Sequence, residues 1–292
     1  MTSTITFSPG IKTLSLSFVA LTAALVMQAQ SASQNIRLTK GQKLESLTTS
    51  TVTMSQEMMG QQVEFNANTT VTTLTEVKDV TSDKFLLTNT IRRLVTNTTV
   101  MGQETKFDSD KKEDMDGQTG AELKNKIGAP QDISVNKQGK IVEVKDTTPA
   151  AGSANMVNAI LGSATVKGTT FPLLAPFPAK AVKAGDTWTD STGSSETMKM
   201  VNTYTLRQVS GGEATIDVTG QMAKTGVVEQ QGMQIPMSLS GTTSGESVID
   251  ISTGTVKKNS TTMKITGTME LMGQSIPLSM NVTAQTTVNK IP

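Results

Sequence analysis

A short phrase built around a glycine recurs four times and constrains the fold more than any other feature of the chain. The four copies are MGQQVEF at 59–65, MGQETKF at 101–107, QGMQIPMSL at 231–239 and MGQSIPLSM at 272–280. Each lies between Thr-rich segments in which residues of opposite polarity alternate. Glycine supplies the positive φ that a tight turn needs, and the alternation is typical of strands. The pattern therefore predicts long antiparallel hairpins with Gly60, Gly102, Gly232 and Gly273 at or beside the turns.

The strand pattern covers 35–107 and resumes over 196–288. We therefore predict a mainly β protein whose long hairpins form a strongly curved antiparallel sheet or an incomplete barrel, with one or two short helices. Two β-sandwich halves are the alternative. The predicted organisation is a signal peptide at 1–33, an N-terminal β-rich half with a short helix at 34–170 and a C-terminal β-rich half at 171–292. The sequence leaves open whether the halves form one continuous domain.

Two segments between the halves break the strand pattern. Met156, Val157, Ile160 and Leu161 have helical spacing between Pro149 and Gly162, which predicts a helix over 149–166. The following segment, FPLLAPFP at 171–178, contains three prolines and is expected to be an extended, partly apolar connector.

The N-terminus is typical of a secretory signal. Lys12 precedes an apolar run, LSLSFVALTAALVM at 14–27, and small residues follow at cleavage spacing. We expect cleavage to leave a mature chain that begins near Ala32 or Gln34. That chain would be exported to the periplasm or the exterior, soluble and without a transmembrane span.

Composition excludes several classes of chemistry. The 292 residues include no His and no Cys, which removes Ser-His-Asp and Cys-His nucleophiles and nearly all zinc, copper and haem sites. Aromatics make up 3% and the net charge is +1, so nucleic acid is not expected as a partner. The acidic run at 108–116 lacks the spacing of a calcium loop and is expected to be a hydrated loop. We assign no catalytic residue, cofactor or metal ligand.

The 17 methionines, many of them in the hairpins, suggest a function. Methionine suits adaptable apolar surfaces, but methionine at alternate strand positions faces a core by default, and core filling is the favoured interpretation of these residues. The favoured hypothesis is a non-enzymatic envelope or secreted protein that binds a hydrophobic ligand, such as a lipid, in a Met-lined concavity, or that contacts another envelope protein. A structural or adhesive surface protein is the alternative, and a carboxylate-dependent hydrolase is the least favoured. Six apolar residues of the central segments are the candidate ligand contacts: Met156, Ile160, Leu161, Phe171, Leu174 and Phe177.

The order of segments resembles that of a known family. The chain has IRLTKGQKLESLTTSTVTMSQEMMGQ near its start, then ISVNKQGKIVEV, then FPLLAPFPAKAVKAGDTW before a second β-rich half. This resembles the exported bacterial domain-of-unknown-function family 6263 over most of the mature chain. That family has no assigned activity, and its members are often lipoproteins, whereas this chain lacks the anchoring Cys. The layout is more loosely similar to the periplasmic lipoprotein-carrier fold, which implies a curved sheet with a concave apolar face.

Overall fold

The computed structural model describes residues 31–58, 61–145, 167–193, 199–230, 233–271 and 273–292. The predicted helix at 149–166, residues 1–30 of the predicted signal peptide, and the turn glycines Gly60 and Gly232 lie outside these residues. The other two turn glycines have positive φ, 81° at Gly102 and 78° at Gly273. Both follow long strands, as the repeated phrase predicts.

The described residues form fourteen strands and two short helices, and the prediction of a mainly β fold is confirmed. The first strands are β1 Ser31–Ala32, β2 Lys43–Met58, β3 Gln61–Val80, β4 Lys84–Val100 and β5 Gln103–Asp108. The helices α1 Lys112–Asp116 and α2 Gln118–Leu123 follow, then β6 Pro130–Asn136, β7 Ile141–Lys145, β8 Val182–Lys183 and β9 Thr187–Thr192. The chain ends with β10 Lys199–Ser210, β11 Glu213–Gln230, β12 Met233–Asp250, β13 Thr255–Leu271 and β14 Gln274–Ile291.

Twelve of these strands belong to one antiparallel sheet. Its order is β7-β6-β4-β3-β2-β14-β13-β12-β11-β10-β9, with β5 paired to β4, while β1 and β8 form a separate pair. Because β2 pairs with β14 from Lys43–Ile291 to Gln56–Leu278, strands from both ends of the chain lie side by side. The strand pairs that flank the four repeated phrases, β2 with β3, β4 with β5, β11 with β12 and β13 with β14, meet at the same end of the sheet, which we call the tip. The opposite end is the base.

The sheet curls at its base. Eleven strands on one path would place β7 and β9 about 48 Å apart in a flat sheet, at about 4.8 Å per strand. Instead, Lys140 beside β7 forms an ion pair with Asp190 of β9. Residues 169–178, which include the Pro-rich segment, bridge the same edges: the Ile141 N–H donates to the Thr169 carbonyl at 2.9 Å, and Trp188 Nε1 donates to the Pro176 carbonyl at 2.7 Å. The prediction of a strongly curved sheet is therefore confirmed.

The main core lies inside this curl, and we call the sheet face that carries it the inner face. Phe171 and Leu174 of the Pro-rich segment are 2% exposed and pack with inner-face residues such as Phe85, Leu206 and Ile249. The half-buried Trp188 packs against this base core, and its ring lies 5.7 Å from that of Tyr204. The Pro-rich segment thus fills the base of the sheet.

The acidic run differs from the expected hydrated loop. Residues 112–116 form α1, and α2 follows over Gln118–Leu123. Leu123 and Met115 pack against Val71, Leu94 and Phe107 of the sheet, and these tertiary contacts stabilise helices too short to be stable alone. The helices therefore cover part of the inner face beside β3 to β5.

No helix within the described ranges is long and apolar enough to cross a membrane.

Candidate functional site

The inner face between the base core and the tip carries a concentration of methionines. One row across the sheet contains four of them: Met200, Met222, Met280 and Met54. The row follows the register partners from β10 through β11, β12, β13 and β14 to β2. The next row towards the base adds Met263, and the second row towards the tip adds Met237 and Met269. We call this set the methionine face: Met54, Met200, Met222, Met237, Met263, Met269 and Met280.

Strand alternation places these side chains together. In β14, Ile276, Leu278, Met280 and Val282 occupy inner positions, and the intervening residues are polar or proline. Met222 is 5% exposed, whereas the other six members of the methionine face are only half-buried. The face therefore keeps apolar surface in reach of a ligand.

Glycines on the same face let neighbouring side chains and strands approach closely. A Cβ on Gly241 would lie 3.0 Å from Met222 Cγ and 3.1 Å from Ile265 Cγ1, so these two side chains meet above the glycine. A Cβ on Gly267 would lie 2.0 Å from the Ser238 carbonyl oxygen. The strands can pack in this way only where a side chain is missing.

A belt of hydroxyl and amide side chains separates the methionine face from the base core. Its members bond to one another across strands: the Thr69 and Thr96 hydroxyls are 3.1 Å apart, and those of Thr48 and Thr286 are 3.0 Å apart. Farther along the belt, the Ser247 hydroxyl donates to Asn259 Oδ1 at 2.8 Å. An apolar ligand on the methionine face would therefore end at this belt.

Lys224 is the charged residue of this region. Lys224 pairs with Leu239 of β12, Leu239 pairs with Gly267 of β13, and Gly267 pairs with Leu278 of β14. Lys224 therefore shares a row with apolar inner-face residues. Among the described residues in the rows of the methionine face from β10 to β4, no other is charged. Lys224 is half-buried and makes no hydrogen bond or ion pair within the described part of the chain.

Several charged groups elsewhere are paired. Arg207 contacts both Asp217 and Glu246 on the outer face. The Arg93 guanidinium donates to Asp108 and lowers the pKa of that carboxyl. Burial, with a smaller contribution from Asp190, raises the pKa of Tyr204 to about 12, so its phenol is neutral at physiological pH. Across the described ranges, no group of three acidic side chains could hold a metal ion.

The outer face has a concave region of a different character. A trough of about 640 Å³ crosses the centre of the sheet, and its described lining residues are mostly Thr, Ser, Asn and Gln, with none charged. Several bond to each other or to a neighbour: Thr51 Oγ1 donates to Asn68 Oδ1 at 2.8 Å, and Asn97 Nδ2 donates to Glu104 Oε1 at 2.7 Å. The two faces thus differ sharply in polarity, and only the inner one suits an apolar ligand.

The structure places three of the six predicted ligand contacts at the base. Phe171, Leu174 and Phe177 lie in the base core with 2%, 2% and 6% exposure. The other three candidates, Met156, Ile160 and Leu161, lie outside the described residues, and ligand contact by the six stays a prediction. The sequence reasoning did not single out Lys224 or Met263. The alternation of Gly220, Met222, Lys224 and Gly226 was the available signal, since period two places all four on one face.

A family model described as "Family of unknown function (DUF6263)" matches residues 82–256, more than half of the chain. The chain belongs to this family. The sequence-based resemblance to it is therefore confirmed. No curated protein matches the sequence.

Among solved structures, the chain is similar to lipovitellin, from a structure concerned with lipid–protein interactions, at 10% identity and a TM-score of 0.48, over 88% of this chain and 26% of that one. It thus spans about a quarter of the lipovitellin chain. An outer membrane channel from Pseudomonas putida F1 matches at 8% identity and a TM-score of 0.25, over 87% of this chain and 97% of that one. The β domain of the Bordetella autotransporter BrkA matches at 7% identity and a TM-score of 0.28, over 85% of this chain and 99% of that one. At such scores these similarities support no functional conclusion.

Proposed function

We propose that this protein is an exported, non-enzymatic binding protein that holds a hydrophobic ligand on the methionine face. The observation that carries the proposal is the collection of seven methionines on one face of a single sheet, six of them half-buried. Export rests on the signal sequence around Lys12, and the absence of an enzymatic role rests on the lack of His and Cys and of any recognisable catalytic motif.

The chemistry of the face suits acyl chains better than rigid ligands. Methionine has three rotatable bonds and a polarizable sulfur, so a row of methionines can adapt to chains of different shape. Apolar surface of this kind is rarely left uncovered in a monomeric protein. The hydroxyl belt sets the inner limit of the apolar surface, because an acyl chain that crossed it would leave buried hydroxyls without good partners.

The test is saturable binding of an apolar, environment-sensitive dye to the purified mature protein, with displacement by fatty acid. The double substitution Met54→Gln, Met280→Gln removes two adjacent members of the central row. Each exchange replaces an apolar contact worth roughly 1–2 kcal/mol, so we expect affinity to fall at least tenfold. Met101→Gln is the matched control, because Met101 is 69% exposed at a turn away from the methionine face.

Thermal melts establish that each variant folds. The proposal fails if the folded wild type shows no saturable binding, or if the double variant folds and binds as well as the Met101→Gln control. The first result would favour a structural or adhesive role.

A further inference from the structure

Lys224 has an unusual environment for a lysine. An ammonium group loses hydration when it is partly buried, and proteins usually compensate with a carboxylate or a hydrogen-bond acceptor. Lys224 has neither within the described residues, although its register partner is Leu239 and Met222 is its neighbour on the same face of β11. The other described lysines near the middle of the long strands, such as Lys264 of β13, face outward and are exposed.

We propose that Lys224 binds the anionic headgroup of an amphiphile whose acyl chain lies on the methionine face. This inference rests on the proposed function and specifies the class of ligand. A carboxylate or phosphate oxygen would accept charge-assisted hydrogen bonds from the ammonium, which are the stronger kind. The long lysine stem would lie along the apolar face and bring the ammonium to the headgroup.

The rows of the sheet give the ligand an orientation. Lys224 is in the row of Leu278, on the tip side of the row that contains Met222 and Met280. The hydroxyl belt begins six residues farther along β14, near Ala284, which is about 20 Å at roughly 3.3 Å per residue. The headgroup would thus lie nearer the tip and the chain would run towards the base, over a length suited to a long acyl chain.

Two kinds of ligand share this chemistry, a fatty acid with a carboxylate and a lysophospholipid with a phosphate. The experiment therefore uses palmitate, palmitoyl lysophosphatidate and methyl palmitate, which carry the same chain with a carboxylate, a phosphate and an uncharged ester. Affinities are measured by displacement of the apolar dye from wild-type protein, from Lys224→Met and from Lys264→Met. Lys264→Met is the matched control, because it removes the same charge from the outer face.

We expect wild-type protein to bind at least one anionic ligand about tenfold more tightly than methyl palmitate, the ratio expected of one charge-assisted hydrogen bond. Lys224→Met should abolish this preference and leave methyl palmitate affinity unchanged or slightly higher, since methionine extends the apolar face. Lys264→Met should keep the wild-type preference. Which anionic ligand binds more tightly identifies the headgroup.

The inference is overturned if methyl palmitate binds as tightly as both anionic ligands, or if Lys224→Met keeps the wild-type preference. It is also overturned if Lys264→Met removes the preference as fully as Lys224→Met does, because the effect would then come from net charge. These outcomes differ from failure of the proposed function, in which none of the three ligands displaces the dye. Rising salt should weaken the two anionic ligands more than the ester.

Discussion

Replacing Gly267 with alanine tests whether the sheet depends on inner-face glycines. Gly267 of β13 pairs with Leu239 of β12, and its φ is not in the left-handed region. An added Cβ would lie 2.0 Å from the Ser238 carbonyl oxygen and 2.8 Å from Leu239 Cδ2. Since the first of these atoms is backbone, a change of rotamer cannot relieve the contact, and the two strands must separate.

The magnitude follows from two opposing effects. Overpacking that forces a backbone shift costs about 1–3 kcal/mol. Alanine has less conformational freedom than glycine in the unfolded chain, which stabilises the folded protein by about 0.4–1 kcal/mol. We therefore expect Gly267→Ala to lower the free energy of unfolding by about 1–2 kcal/mol and the Tm by roughly 2–8 °C for a chain of this size.

Urea unfolding followed by tryptophan fluorescence measures this change, because Trp188 is the only tryptophan and packs against the base core. Thr268→Ala is the control: it is the next residue, faces outward and is exposed, so its effect should stay within about 0.5 kcal/mol. If Gly267→Ala is as stable as Thr268→Ala or the wild type, the close approach of β12 and β13 does not require glycine and the reasoning is wrong.

Three further predictions concern other parts of the molecule. The pKa of Tyr204 is raised from 10.0 to about 12 in the folded protein, so this phenol ionises at a lower pH in the unfolded chain. The contribution of Tyr204 to the free energy of unfolding should therefore be complete below pH 10 and be lost as the pH rises towards 12. Urea denaturation of wild type and Tyr204→Phe across this pH range measures the contribution, and an equal pH dependence of the free energy of unfolding in the two proteins would contradict the prediction. Gly273→Val should destabilise the protein by about 1 kcal/mol or more in urea, since Gly273 has a φ of 78°; an unchanged midpoint would argue against strain. N-terminal sequencing of exported protein should begin near Ala32 or Gln34, and an intact Met1 would rule out cleavage. A start at Ala32 keeps that residue's pairing with Val182, which a start at Gln34 removes.

Local patterns predicted the hairpins well. The turns at Gly102 and Gly273, where φ is 81° and 78°, follow from glycine between alternating segments. The acidic run was harder to predict, because α1 has few apolar residues and depends on contacts of Met115 with the sheet. Such contacts depend on strands distant in sequence and leave little local trace.

The sequence by itself determined which residues form strands, where the hairpins turn and which side chains share a face within each strand, because a period of two and the φ preference of glycine are local properties. Only the tertiary structure decided that β2 pairs with β14, which brings Met54 opposite Met280 and joins the two halves in one sheet. It also decided that Lys224 faces an apolar row without a described partner. The physical reason is that pairing between distant strands depends on the summed packing of whole faces, which no single segment of the chain encodes.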